Sequence, residues 1–423
     1  MKLSRNGHVP SPGELIDFLL LYGKHYLGSG GPTSRLEESI TRLGNHFGQQ
    51  TEVFATPTGI FITSQNYNDP GNQRTALTRI KSTATDLSRI CILERIFNDI
   101  LEDKLTLFTA SETLRNSIMV RPLYRIWQTG LAAFIAGFAV SYGSYGRLTA
   151  ALVSGTITLI TWFVTAAPFR KGPTNPMYTD FVGAFLTLAL AAVAHILFAP
   201  VSIEAYALGG LVLLVPGLAL TTSIAELADQ NLVSGTAKFM QACLSLLAIG
   251  LAYLLFQQLA ESFSLLTVLR PIHSVEKTWP IAMASVIAVA SCFSVIFRVP
   301  PRSLIWATIT GLCGWATLES LGHGSFVATA PYFGSFVVGI VSLSFGRLFK
   351  MPSQVYSVPG IVAMLPGMLA LSVFQYFAAG KQQTGIAYSF QVALTAVSIV
   401  FGLITARVPF SIMASNRFPR RKA

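Results

Sequence analysis

Charge is what this chain has least of. Of its 423 residues only 12% are Asp, Glu, Lys or Arg, while 52% are hydrophobic; an ordinary soluble domain has about 25% charged residues. That balance speaks against a water-soluble enzyme. Cysteine is scarce too. Cys91, Cys243, Cys292 and Cys313 form no Cys-x-x-Cys and no zinc spacing, and three of them fall in apolar runs, so they read as small core hydrophobes and no metal is expected. The glycine-rich stretch Gly28-Ser29-Gly30-Gly31-Pro32 lacks the Gly-Lys-Ser/Thr of a phosphate loop, which disfavours ATP as energy source and leaves no nucleotide or other cofactor implied. A secretory leader is not expected either: the early apolar run from Leu15 to Tyr22 is short and interrupted by Asp17. The net charge of +11 is spread as short basic clusters between apolar runs, and without a basic stripe interleaved with stacking aromatics it does not point to nucleic acid.

What the chain does have is two physically different parts. Residues 1–125 carry 26 of the 49 charges. Beyond them, windows of roughly 20 apolar residues, the length of a bilayer crossing, recur ten times: 124–142, 148–167, 178–198, 203–221, 236–257, 279–297, 303–320, 326–346, 356–378 and 385–406. With the polar part inside, twelve Lys and Arg fall in or near the inner loops against four outside, so both termini are expected in the cytoplasm. A repeat runs through the apolar part at an offset of 150 residues: Leu214-Val215-Pro216-Gly217-Leu218-Ala219-Leu220 matches Met364-Leu365-Pro366-Gly367-Met368-Leu369-Ala370-Leu371, continuing to Ser234-Gly235 against Thr384-Gly385. Each half then holds five spans, and an odd number turns the second half upside down, as in many secondary transporters.

The expected fold is therefore an α-helical polytopic membrane protein of about ten spans in two inverted five-helix repeats, behind an N-terminal cytosolic mixed α/β domain. The domains read as 1–122 for the cytosolic part, 123–258 and 279–407 for the two membrane halves, and 408–423 for a basic tail. In the polar part, helices are expected over 12–27 and 33–47, the second capped by Thr33 or Ser34 with Glu37 or Glu38 as capping-box partner. Two β-branched runs, 51–56 and 59–64, flank Pro57 as a hairpin. Further helices are expected over 83–103 and 111–117.

Gly30-Gly31-Pro32-Thr33-Ser34-Arg35-Leu36-Glu37 followed by Arg42-Leu43-Gly44, and Pro216-Gly217 followed by Glu226, Gly235 and Lys238, resemble the two motif groups of the threonine/serine exporter family. Glu226 stands where the family pattern has Asp, and Lys238 where it has Arg. The sign of charge is kept, but Lys cannot form the bidentate fork of Arg. The resemblance covers nearly the whole chain. It implies proton-driven export of small amino acids across a bacterial inner membrane or a fungal counterpart; some relatives are linked to dicarboxylates, so the family does not fix the cargo.

Proline in a span removes a backbone hydrogen bond, and the glycine after it allows close approach. Breaks at Pro216-Gly217 and Pro366-Gly367 would expose half-helix N–H groups to a substrate carboxylate, flanked by Thr221, Thr222, Ser372 and Gln375; kinking for packing is the plainer alternative. Ionisable groups at span borders are candidates for proton coupling, which singles out Glu226, Asp229 and Lys238, with a solvated loop carboxylate as the alternative for Glu226. His195 is expected to hydrogen-bond a neighbouring helix. Glu204, Glu319 and His323 are expected to be hydrated outer-surface groups, and Asp180 a helix N-terminal residue. In the polar part, Thr33, Arg35 and Glu37 form the motif, and Arg35 with Glu38 can project together as a surface ion pair, an anion site or a hydrolytic site.

The leading expectation is a secondary transporter, not an enzyme, that sits in the plasma (inner) membrane and exports threonine or serine, with protons and the lipid bilayer as partners. Homo-oligomers are compatible with the sequence. The alternatives are an exporter of a dicarboxylate such as succinate, which would need a basic partner such as Lys238, and a membrane-anchored enzyme or sensor acting through the cytosolic part.

Overall fold

The computed structural model describes residues 10–66, 69–81, 83–119, 122–166, 175–198, 201–262, 279–322, 329–365 and 367–410. They divide into two compact units: Met1–Leu123 with Ala225–Lys238 and Phe297–Pro300, and Tyr124–Ile224 with Phe239–Ile296 and Pro301–Ala423.

The first unit opens with α1, Pro12–Gly28. Ser11 Oγ accepts from Glu14 N–H at 3.3 Å and the Glu14 carboxylate accepts from Ser11 N–H at 2.9 Å, a capping box that fixes the helix start. Leu15, Phe18, Leu19, Tyr22 and Tyr26 line its buried face, the 3–4 spacing of an amphipathic helix. Helix α2, Thr33–His46, buries Leu36, Ile40 and Leu43. Strands β1 (Gln49–Thr56), β2 (Gly59–Asn66) and β3 (Asp69–Arg79) form an antiparallel meander in that order. Ile60 and Ile62 of β2 turn inward, and α1 packs on β2 and β3 while α2 packs on β1. Phe54, Phe61 and Leu77 lie opposite one another on the other, exposed face.

Helix α3, Leu87–Leu101, starts four residues later than the sequence suggests, because Asp86 caps it by accepting from Arg89 N–H at 3.1 Å. Asp86 also takes Arg298 Nη1 at 2.6 Å, and Leu87 N–H donates to Phe297 O at 3.0 Å. Those two bonds hold Phe297–Pro300 in this unit. Helix α4, Leu107–Met119, completes it.

The second unit is helical: α5 Ile126–Tyr145, α6 Leu148–Ala166, α7 Pro176–Phe198, α8 Ile203–Leu214, α9 Gly217–Ala228, α10 Leu232–Ser262, α11 Trp279–Ile296, α12 Leu304–Leu321, α13 Thr329–Phe349, α14 Gln354–Ile361, α15 Gly367–Ala378 and α16 Gln382–Thr405. The ends of α9 and α10 that flank their shared turn belong to the first unit. Among the described residues, eight segments are long and apolar enough to cross a bilayer, with α8–α9 and α14–α15 each counted as one broken helix; the chain is a polytopic membrane protein. Helices α5 and α12, with 20 and 18 residues, fall outside those eight.

Packing recurs along the unit. Helix α6 meets α5, α7 and α8, and α12 meets α11, α13 and α14; α8 also meets α5 and α7, as α14 meets α11 and α13. Backbone bonds of the turn after α9 and of the break before it recur around α15. Asn231 N–H donates to Glu226 O and Lys381 N–H to Tyr376 O, each at 2.9 Å, and Gly217 N–H to Val215 O and Gly367 N–H to Leu365 O, each at 2.8 Å. One interior cluster contains Leu220 with Ala370 and Ala242 with Val392, both pairs 150 residues apart.

Gln230 and Gly380 hold the same left-handed place in the two turns, at φ 62° and 70°. Only glycine takes that conformation freely; other residues lose about 1 kcal/mol or more. Gln230→Gly is therefore expected to raise the thermal midpoint of the detergent-purified chain, and Gly380→Ala to lower it by a similar margin, as read by circular dichroism.

Candidate functional site

Two places gather polar chemistry, one in each unit. In the first, α2 begins at Thr33 behind Pro32, whose side chain can make no cap. This corrects the expectation that Thr33 or Ser34 caps the helix. The acceptor comes instead from Glu226, whose Oε1 takes Thr33 N–H at 3.2 Å. The N-terminal end of a helix dipole and its unpaired N–H groups favour a carboxylate there. Lys238 Nζ donates to the same oxygen at 2.5 Å, and Ser234 Oγ donates to Oε2. Glu226 is only 3% exposed, so it is no solvated loop carboxylate. Asp229 is exposed and lies 3.4 Å from Ser34 Oγ.

The remaining motif residues each tie down a different element. Arg35 bonds Glu38 at 2.9 Å, as the sequence suggests, but also the buried Glu94 of α3 at 3.3 Å. Burial would ease the proton off this guanidinium, but the Glu94 carboxylate overrides that and holds it more firmly charged. Glu37 makes no capping box. Its Oε1 accepts from Ala55 N–H of β1 at 2.8 Å, while burial lifts its carboxyl above the usual range. The Thr33 hydroxyl is buried and has no hydrogen-bond partner among the described residues. Burial also pushes the Cys91 thiol up to about 12, where thiolate chemistry at neutral pH is negligible. Among the described residues, no group of three or more His, Cys, Asp or Glu comes together as a metal ion requires.

The clasp is not repeated. At 150 residues from Glu226 and Lys238 stand Tyr376 and Tyr388, whose rings lie 4.8 Å apart. An ion pair in the first half is an aromatic pair in the second.

In the second unit, the helix interruptions meet. A Cβ added to Gly217 would lie 3.2 Å from Leu365 Cβ, and one added to Gly367 would lie 3.8 Å from Val215 Cγ1. Each break thus faces the residue before the other break's proline, in the interior of the unit. Pro366 itself lies outside the described residues. Thr221 Oγ1 donates to Gly217 O at 3.2 Å and Leu218 O at 3.0 Å, and Thr222 Oγ1 to Ala219 O at 3.2 Å. Their hydroxyl protons are therefore engaged by the first turns after the break.

Beside the breaks lies a small cavity of about 30 Å³, with Leu188 of α7, Glu204 of α8, Tyr253 of α10 and Leu371, Ser372 and Gln375 of α15 among its walls. It brings together two of the expected substrate residues, Ser372 and Gln375, with one that sequence reasoning passed over. Glu204 is 6% exposed, which overturns its reading as a hydrated surface group. It stands in the first turn of α8, enclosed by α7, α10 and α15. The signal was present: a carboxylate inside an apolar span window. His195 Nδ1 lies 2.7 Å from Val201 O, in the connection that leads into the neighbouring helix α8.

Broken, apolar helices beside a small, mainly apolar cavity that carries a few polar groups, together with a polar unit, define a polytopic membrane protein. The family described as "Putative threonine/serine exporter" matches residues 17–260, and the one described as "Threonine/Serine exporter, ThrE" matches residues 282–408. The chain belongs to the threonine/serine exporter family. It is 22% identical over 378 residues to an uncharacterized protein of Schizosaccharomyces pombe, covering 86% of this chain and 44% of that protein. Against proteins named pheromone-regulated membrane protein 10 it is 21% identical in Pichia sorbitophila, covering 87% of this chain and 38% of the relative. In Debaryomyces hansenii it is 22% identical, covering 84% and 36%. The chain therefore spans less than half the length of these curated relatives. No solved structure matches it.

Removing Glu226 takes a partner from Lys238 and the acceptor from the start of α2. Glu226→Gln is expected to destabilise the chain by about 1–3 kcal/mol, reduced from the full cost of a broken buried pair because Lys238 is partly exposed. Combining Glu226→Gln with Lys238→Met should cost less than the two separate losses by about 1 kcal/mol. Thermal unfolding of the four proteins checks this, and strictly additive losses would show the pair uncoupled.

Proposed function

We propose that this chain is a secondary transporter that exports threonine, serine or a similar small amino acid across the plasma membrane in exchange for protons. In this reading it has ten spans, α5 to α7, α8–α9 and α10 followed by α11 to α13, α14–α15 and α16, arranged as two inverted halves. Both termini are cytoplasmic and residues 1–122 form a cytosolic domain. The observation that carries the reading is the mutual approach of the two breaks, Gly217 against Leu365 and Gly367 beside Val215, next to the cavity walled by Ser372 and Gln375.

The chemistry suits a zwitterion. The first N–H groups of a helix lack intrahelical partners, so the starts of α9 and α15 can hold a carboxylate. Ser372, Gln375 and the lone pairs of Thr221 and Thr222 can meet a hydroxyl, and Glu204 an ammonium. Glu226, Asp229 and Lys238 act in this reading as the proton-sensitive clasp of the first unit: a proton on Glu226 would free Lys238. A dicarboxylate fits less well. The cavity is lined by a carboxylate and by no Lys, Arg or His, and Lys238, the basic partner such a cargo would need, is paired with Glu226.

Reconstitution of the full chain in liposomes with labelled threonine, serine and succinate under an imposed pH gradient tests this. Saturable amino-acid flux, accelerated by the gradient, is expected. Gly217→Leu should lower it at least tenfold while leaving the chain in the membrane. Succinate carried in place of amino acids would favour the dicarboxylate reading, and absence of any flux would favour action through the polar unit.

A further inference from the structure

Resting on the transport reading above, the geometry points to Glu204 as the carboxylate at which a proton and the ammonium of the substrate displace each other. Glu204 is buried at the wall of the cavity, and its Oε2 has no hydrogen-bond partner among the described residues. A buried carboxylate oxygen without a donor is unfavourable unless a proton or a cation joins it. No cationic side chain of the described residues pairs with it, and every residue lining the cavity is neutral apart from Glu204 itself.

The elements packed around α8 offer no substitute. Helix α7 contributes Leu188, and its titratable group at this end, His195, is turned to Val201 O at 2.7 Å; α15 contributes Leu371, Ser372 and Gln375. Helix α6 approaches at Gly209 through Ser154 and Thr158. The titratable groups that feel the Glu204 charge are the phenols of Tyr253 on α10 and Tyr145 on α5; both are neutral at physiological pH. The Glu204 backbone N–H and the Ser202 side chain reach the carboxylate, but neither partners Oε2 and neither brings a positive charge, so what balances the buried charge is a proton or a cation brought by a ligand. The α-ammonium of an amino acid is that cation, with Ser372 and Gln375 close enough along the same wall to bind its other polar groups. One proton leaves Glu204 for each ammonium bound, and one returns when the ammonium departs. Such an exchange couples proton entry to amino-acid exit with no further group.

The test uses the full chain in proteoliposomes with labelled serine, and in detergent with a pH-indicator dye. The unaltered chain should show gradient-accelerated flux and release close to one proton per serine bound. Glu204→Gln should lose at least tenfold of the gradient-driven flux, release no proton and exchange serine at a rate independent of pH; Glu204→Asp should keep the coupling. Gradient-driven flux and proton release intact in Glu204→Gln would overturn the proposal alone, whereas an unaltered chain that carries no amino acid would overturn the transport reading and the proposal with it. If Glu204→Gln fails to fold, dicyclohexylcarbodiimide, which attacks protonated buried carboxyls, decides on the native chain. Modification of Glu204 that serine blocks supports the proposal, and no modification there, or modification indifferent to serine, overturns it.

Discussion

A bilayer offers no partner to an unpaired backbone group, so a chain that interrupts its helices inside an apolar span must shelter the interruptions within protein. Both interruptions here obey that constraint by using each other. Gly217 leaves no side chain where Leu365 approaches, and Gly367 lies beside Val215. At each break the glycine N–H turns back to the residue before the proline at 2.8 Å, which satisfies one group and leaves the next helix start aimed into the unit's interior. A small cavity with Glu204, Ser372 and Gln375 in its walls lies further along α8 and α15.

A second carboxylate organises the polar unit. Glu226 accepts from Thr33 N–H, Ser234 and Lys238, so the two motif groups that are 193 residues apart in the chain meet at one side chain. That explains why an acid is needed at 226 and why a proline before Thr33 is tolerated: the helix is capped from elsewhere in the sequence. The second half has Tyr376 and Tyr388 at the corresponding places. The two halves thus share backbone turns while differing in charge, and the clasp belongs to the first alone.

Part of this was legible in local pattern. Helices α1 and α2 and the β1–β2 hairpin rest on short-range periodicity and turn chemistry and have counterparts in the structure, and the recurrence of Leu-Pro-Gly is matched by the same backbone bond at 215–217 and 365–367. Strand β3 was not legible because Asp69-Pro70-Gly71-Asn72 reads as a turn. The capping roles failed for a different reason: Glu37 has the right spacing for a capping box, but its carboxylate is taken by Ala55 of β1, a partner that spacing along one helix cannot reveal. Glu204 was misread because its place near the end of a span suggested the hydrated surface, whereas α7, α10 and α15 enclose it and leave it 6% exposed. Side chains whose role depends on distant elements were the ones local pattern did not place.

The central claim, that the small cavity one helical turn from the paired breaks widens to admit a small amino acid during transport, is tested most directly at Ser372. In a chain with Cys91, Cys243, Cys292 and Cys313 replaced by alanine, Ser372→Cys should react with a membrane-impermeant maleimide in oriented vesicles, and threonine should block that reaction at concentrations that saturate flux. A residue at this position that stays unreactive from both sides, or that reacts at the same rate with and without threonine, would contradict the account.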